Sequence, residues 1–240
     1  MKFDSKGNNP AFAIGYLFKG LRLVTSHELR AFIIIPIVIN IVLYSLALML
    51  GYYYISDLIT QFIPSWLQWL SWVLWPLFFI SFFIAGFFTF TVLANLLAAP
   101  FYGKLAAKTL VLINGQSKAT DEPPLLKVMG AEVKRAGYLL SRALPLLMVS
   151  FIPGINVLAP FLWALFGAWG MALEYLAYPM ENAGILFSEQ KKMAKSIRFG
   201  LLSFGGVAVM GLTIPLLNII VAPAAVIGAT LYFNEIKIED

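Results

Sequence analysis

Two long apolar runs dominate the first hundred residues. From Phe32 to Ile55 the chain reads FIIIPIVINIVLYSLALMLGYYYI, without a charge. At 1.5 Å per residue this reaches about 36 Å, enough to cross a ~30 Å hydrocarbon core with some tilt. Tyr52, Tyr53 and Tyr54 close the run, where an aromatic belt belongs. SDLITQFIPSWLQWLSW follows, with three Trp, one Asp and no Lys or Arg. It predicts a periplasmic loop carrying an interfacial helix. Leu74 to Ala99 then returns to the cytoplasm. Ahead of both runs, Phe12–Leu23 predicts an amphipathic interfacial helix, with Phe12, Tyr16 and Leu23 apolar and Lys19 and Arg22 polar.

Past Pro100 the pattern changes. Phe101–Asn114 and Leu125–Arg142 are rich in Lys and Arg, and NGQSKATDEPP joins them with turn chemistry. They predict a cytoplasmic helical hairpin over 100–142. The last hundred residues hold an approximate repeat. Ile152-Pro-Gly-Ile-Asn156 leads to Ala159-Pro160, and Ile214-Pro-Leu-Leu-Asn218 leads to Ala222-Pro223. Each copy lies inside an apolar stretch, 143–178 and 201–233. Two full crossings need about 40 residues plus a turn, and both stretches fall short of that. Either they are tight transmembrane hairpins, or they are re-entrant hairpins that enter and leave on the cytoplasmic side. The second is the more economical. Broken backbone at membrane depth must then be buried by protein or line a polar cavity.

Composition agrees with the pattern. Of 240 residues, 60 % are hydrophobic and 12 % charged, and mean hydropathy is +0.84. A soluble domain of this size cannot hide so much apolar surface, and a disordered chain would not carry it. The class is an all-α integral membrane protein: two long transmembrane helices (31–99), two Pro-broken hairpins and a cytoplasmic hairpin, in a single domain over 1–240. Residues 1–30 form a cytoplasmic or interfacial N-terminus. They contain no apolar core followed by a small-residue cleavage site, so no cleaved signal is expected. The net charge of +5 is not read as nucleic-acid binding. Lys and Arg are absent from Ala31–Gly103 and from Ala143–Gln190. By the positive-inside rule, the segments that hold them, and both termini, stay in the cytoplasm. With no cysteine, thiol chemistry and zinc-finger sites are excluded. No Walker A sequence, metal cluster or nucleophile triad appears, so neither an enzyme nor a cofactor is expected.

SHELRAFIIIPIVIN, LANLLAAPFYG, FIPGIN, LAPFLWALFGAW, EYLAYPMEN and IPLLNIIVAPAAVIGAT together resemble the CysZ family of bacterial inner-membrane sulfate permeases. The resemblance runs from about Ile14 to Ile236. It implies sulfate uptake that feeds cysteine biosynthesis, two long helices with two hemi-penetrating hairpins, and assembly of several protomers into a homo-oligomer. It also implies a sulfate site near the start of the first long helix, built on a Gly-Leu/Ile-Arg-Arg motif. Here that place reads Glu28-Leu29-Arg30-Ala31. Arg30 matches the first arginine, whereas Ala31 and Glu28 depart from the motif. Gly20-Leu21-Arg22 repeats the letters out of position, so Arg22 ranks below Arg30.

Sulfate remains a dianion at physiological pH, so the protein must supply donors and positive potential. A helix N-terminus offers free N–H groups and partial positive charge. Thr25-Ser26-His27-Glu28 predicts such a start, with Thr25 or Ser26 as N-cap and Glu28 in the first turn. Arg30 would add its planar fork of donors, or else snorkel to lipid headgroups. His27, the sole histidine, is a further titratable group there. Asn40, Asn95, Asn156 and Asn218 interrupt apolar sequence and are pathway candidates, with interhelical hydrogen bonding as the competing role. Asn156 and Asn218 stand out because they follow equivalent breaks. Glu174 and Glu181 are expected to pair with Arg or Lys, or to gate. The run Lys191, Lys192, Lys195, Arg198 has the look of a surface facing anionic lipid. The partners implied are sulfate, with sulfite and related oxyanions as further candidates, and membrane lipid. A non-conducting accessory protein that binds sulfate or a partner is the alternative.

Overall fold

Asn9 begins the first α-helix. Its Oδ1 accepts from the amides of Ala11 and Phe12, and Pro10 fills the first helical position, where no N–H is missed. This helix, α1, runs Pro10–Leu23. The computed structural model describes residues 2–115, 125–214, 217–236 and 238–239; within these, the side chains of 2, 33, 36, 40, 58–60, 62, 87–100, 125–129 and 238–239 lie outside the description. The chain forms two units, one of Met1–Ala31 with Tyr102–Asp240 and one of Phe32–Phe101.

The Phe32–Phe101 unit is a hairpin of two long helices. α2 runs Ala31–Phe62, a 3-10 turn covers Ser65–Leu70, and α3 runs Ser71–Asn114, so the unit boundary falls inside α3. The arms are tied where side chains interlock. The Tyr44 hydroxyl donates to the Gly86 carbonyl at 2.9 Å, and Tyr52 stacks on Trp75 with centroids 4.8 Å apart. Among its described residues the hairpin exposes apolar side chains along both arms, and Met49, Tyr54, Trp72 and Phe83 are each more than half exposed. A helix pair with no polar face suits a hydrocarbon environment. The expected interfacial helix of the connecting loop is this short 3-10 turn, with Trp66 and Trp69 exposed.

The other unit holds α1 and five further helices. They are α4 (Leu125–Ser150), α5 (Ala159–Asn182), α6 (Phe187–Ser196), α7 (Arg198–Leu212) and α8 (Leu217–Glu235). α5 packs on α7 and α8, and α1 lies across α7 and α8. The helices approach closely through small residues. A Cβ on Gly205 would run into the Ala168 carbonyl, and one on Gly20 into the Ala224 carbonyl. Tyr16, Leu17, Phe204 and Tyr232 fill the space left between them, all nearly inaccessible. Lys2–Phe3 pairs antiparallel with Ile238–Glu239, Lys2 facing Glu239, so the two ends of the chain meet. The Tyr232 hydroxyl donates to the Gly7 carbonyl and holds the N-terminal segment down.

Several expected boundaries shift. Thr25 and Ser26 are not the cap of α2. Residues 24–30 form turns, α2 starts at Ala31, and Glu28 lies in the turn rather than the first helical turn. The reason is local: the Leu29 and Arg30 amides both donate back to the Ser26 carbonyl, which closes a separate turn before the helix. The divisions expected at 99/100 and 142/143 fall inside α3 and α4. Pro145 sits within α4 without ending it. The apolar face of α1 is covered by α7 and α8 in part, with Tyr16 buried and Leu23 still exposed, so it does not meet lipid alone.

Among the described residues four helical segments are long and apolar enough to cross a membrane: Ile37–Asp57, Ser65–Gly86, Asn156–Asn182 and Leu217–Glu235. α6 and α7 meet at a bend of 104° and pass that test only as a pair.

Candidate anion turn, hairpin tips and charged hub

Three places gather the chemistry. The first is the turn before α2. Leu29 is buried, while Arg22, His27, Glu28 and Arg30 are exposed. The Leu29 and Arg30 amides, the expected backbone donors, are already engaged by Ser26 at 3.2 and 3.0 Å. The intervening amides of His27 and Glu28 take no backbone acceptor among the described residues. The Ser26 hydroxyl is buried and has no partner there either. Buried hydroxyls without partners are rare, because desolvation is then left uncompensated. The turn therefore presents Arg30, two free amides and an unsatisfied hydroxyl in one short segment. Arg22 is one helical element away, its carbonyl accepting from Thr25 Oγ1 at 3.2 Å.

The second place is the pair of hairpin tips, α4–α5 and α7–α8. The two copies of the sequence repeat have one backbone hydrogen bond in common. The Asn156 amide donates to the Ile152 carbonyl at 3.0 Å, and the Asn218 amide to the Ile214 carbonyl at 3.2 Å. Both asparagines are exposed. Gly154, at φ +85°, turns the first tip through a conformation that other residues rarely adopt. Pro215 lies outside the described residues, as do the side chains of Asn40 and Asn95.

The third place is a charged hub that binds α4, α5 and α6. Arg135 is 5 % exposed. Its guanidinium reaches Glu132 at 2.8 Å, Glu174 at 3.6 Å and Glu181 at 2.6 Å, and donates to Gln190 at 3.2 Å. Gln190 in turn donates to Glu181 at 3.4 Å and to the Ile185 carbonyl at 2.8 Å, and Tyr178 donates to Glu174 at 3.2 Å. Glu174 and Glu181 thus have the cationic partner expected of them. Sequence could not say which of the basic residues it was. Arg135 stands in a run of several, and only the packing of α4 on α5 selects it. Burial, the largest cause, pushes the Glu132 carboxyl above its ordinary value; Arg135 pulls it down, and Glu181 and Glu174 push it further up. Among the described residues no group of His, Cys, Asp or Glu could hold a metal ion.

An aromatic layer lies between the hub and the first tip. Trp169 on α5 donates to the Tyr138 hydroxyl on α4 at 3.1 Å, and the Tyr138 ring carries Arg142 at 3.7 Å and Lys191 at 5.2 Å. Trp, Tyr and cations at one level are the usual marks of a headgroup region.

Several helices long and apolar enough to cross a membrane define the class as a multi-helix membrane protein. The chain belongs to the family described as Sulfate transporter CysZ/Etoposide-induced protein 2.4, whose model matches residues 16–223. It is 39 % identical over 230 residues to a sulfate transporter CysZ of Pseudomonas aeruginosa, covering 91 % of this chain and 92 % of the relative. It is 40 % identical over 231 residues to one of Pseudomonas fluorescens, with 91 % of each covered. A third, from Pectobacterium atrosepticum, is 38 % identical over 229 residues, covering 90 % of this chain and 82 % of that one. The names are those of transporters, which are not enzymes.

Proposed function

We propose that the protein is a sulfate permease of the bacterial inner membrane, with both termini cytoplasmic, that supplies sulfate for cysteine biosynthesis. The observation that carries this is the end-to-end match to relatives named as sulfate transporters. Sulfite and related oxyanions share the charge and donor requirements. The working form is a homo-oligomer embedded in membrane lipid.

In this reading the two hairpins are re-entrant. The apolar end of α4 and the whole of α7 are short enough to support it, whereas α5 and α8 are each long enough to span. From the aromatic layer at Trp169 back to Ala159 is about 15 Å at 1.5 Å per residue. The apolar end of α4, Ala143–Ser150, is about 12 Å. Both are close to half of a ~30 Å core. α7 has 15 residues, about 22 Å, which is again short of a crossing. The helix ends and asparagines at the two tips would then sit at membrane depth, where irregular backbone lines a polar path. The 24 residues of α5 are long enough to span, but the half beyond Trp169 carries Glu174 and Glu181 and is buried by protein, which suits the cytoplasmic side better.

Recognition is assigned to Arg30 with the free amides of His27 and Glu28 and the Ser26 hydroxyl. Leu29 serves by packing, since its own amide is engaged. The Glu28 side chain points its charge away when an anion is held. Arg22 contributes potential, and Asn40, Asn95, Asn156 and Asn218 are the donors assigned to the path. The divisions 1–30, 31–99, 100–142, 143–178 and 201–233 remain useful as functional segments, although helices run across the boundaries at 99, 142, 178, 201 and 233.

The test is radiolabelled sulfate uptake into proteoliposomes that hold only the purified protein. Uptake above empty liposomes, competed by unlabelled sulfate, is expected. Arg30→Ala should weaken sulfate binding by more than about tenfold, the scale of losing one charged hydrogen-bond donor. Folded, reconstituted protein without uptake would overturn the permease reading in favour of an accessory role.

A further inference from the structure

The exposed face of α6 is not used by any of these steps. Phe187, Gln190, Met193 and Ala194 face inward and are buried, which leaves Lys192 and Lys195 exposed and Lys191 half-buried. α6 turns through 104° into α7 at Arg198, which is also exposed. If α7 enters the membrane, that angle lays α6 along its surface. Two of the cations are fixed at the aromatic layer: Arg142 from α4 and Lys191 from α6 flank the same Tyr138 ring, at 3.7 and 5.2 Å. Among the described residues Arg142 has the Tyr138 carbonyl and the Ser141 hydroxyl as acceptors, at 3.3 and 3.4 Å. No ion pair among the described residues involves Arg142, Lys191, Lys192, Lys195 or Arg198. Glu189, at the other end of α6, lines a pocket with Lys134 rather than pairing with these cations. Two cations gathered on one ring repel each other, and an anion at that corner would relieve the repulsion.

We propose that Arg142, Lys191, Lys192, Lys195 and Arg198 form a binding surface for the headgroups of anionic phospholipids. The surface anchors the elbow between α6 and α7, and so fixes the height at which the second hairpin enters the membrane. Each basic residue near an anionic surface is worth about a fivefold change in affinity. The inference rests on the membrane class of the protein and not on its permeant anion, so failure of sulfate uptake would leave it standing.

The purified full-length protein in a neutral detergent is titrated with short-chain phosphatidylglycerol, with phosphatidylcholine, and with sodium sulfate, and its thermal midpoint is followed. Phosphatidylglycerol should raise the midpoint where phosphatidylcholine does not. In Lys191→Gln/Lys192→Gln/Lys195→Gln the concentration needed should rise more than about tenfold. Lys191→Arg/Lys192→Arg/Lys195→Arg should keep the wild-type response, which separates charge from damage to the fold. An equal response to both lipids overturns the proposal, as does a triple Gln variant that titrates like wild type. So does a sulfate response lost in the same variant, which would give the surface to free anions instead.

Discussion

Arg135 puts one buried positive charge among three carboxylates, of which Glu181 is the least exposed. Removing Arg135 strands chiefly Glu181, since Glu132 and Glu174 keep enough exposure to be solvated. Arg135→Ala should therefore lower stability by about 1–3 kcal/mol in thermal or chemical unfolding. Glu181→Gln should cost less, because it leaves an amide that can still accept from the guanidinium. A stability loss in Arg135→Ala below about 1 kcal/mol would show that the hub holds nothing together. Glu132, half exposed at the edge of the hub, gives the pH dependence. Its carboxyl titrates above its ordinary value in the folded protein. Such a group stabilises the fold fully below the unfolded-state value, and that contribution is lost as pH rises through the raised one. Glu132→Gln should flatten this fall, read as thermal midpoint against pH. The residue types in the hub were all visible in the sequence as polar interruptions. Their partnership was not, since Glu132 and Arg135 lie far along the chain from Glu174 and Glu181, and it takes the α4–α5 contact to join them.

Among the elements, α5 and α7 cross through small residues. Gly205 rests against the Ala168 carbonyl with no room for a methyl group. Gly205→Ala must push the helices apart, and overpacking of this kind costs about 1–3 kcal/mol. Gly206→Ala, next in sequence but with only the Ala168 methyl nearby, should be close to neutral. Equal thermal midpoints for the two variants would argue that α5 and α7 do not pack as described. The hairpins themselves were legible as a repeat of I-P-x-x-N, because a proline break inside apolar sequence has few other meanings. Helix ends were less legible. Pro100 and the change of composition after Arg142 read as boundaries but lie within α3 and α4. A proline costs one hydrogen bond, and tertiary packing over the rest of a long helix offsets that.

For the whole molecule, the paired termini are the most economical constraint. Lys2 lies opposite Glu239 in one antiparallel ladder, and strands in a ladder are about 4.8 Å apart. Both ends must then be on the same side of the membrane. Reporter fusions at the N- and C-termini should agree, and with the positive-inside rule they should both report cytoplasm. A split result would remove either the pairing or the count of crossings.

Sequence by itself determined the class, because apolar run length against bilayer thickness admits little else. It also determined the repeat, since proline, asparagine and their spacing are written in the residues. Only the tertiary structure decided which arginine meets Glu174 and Glu181, that the Leu29 and Arg30 amides are engaged while those of His27 and Glu28 are not, and that Gly205 and Gly20 are crossing points. Those facts depend on distances between segments remote in the chain, or on how one turn closes. Hydrophobic periodicity carries information about a residue's environment but not about its partner.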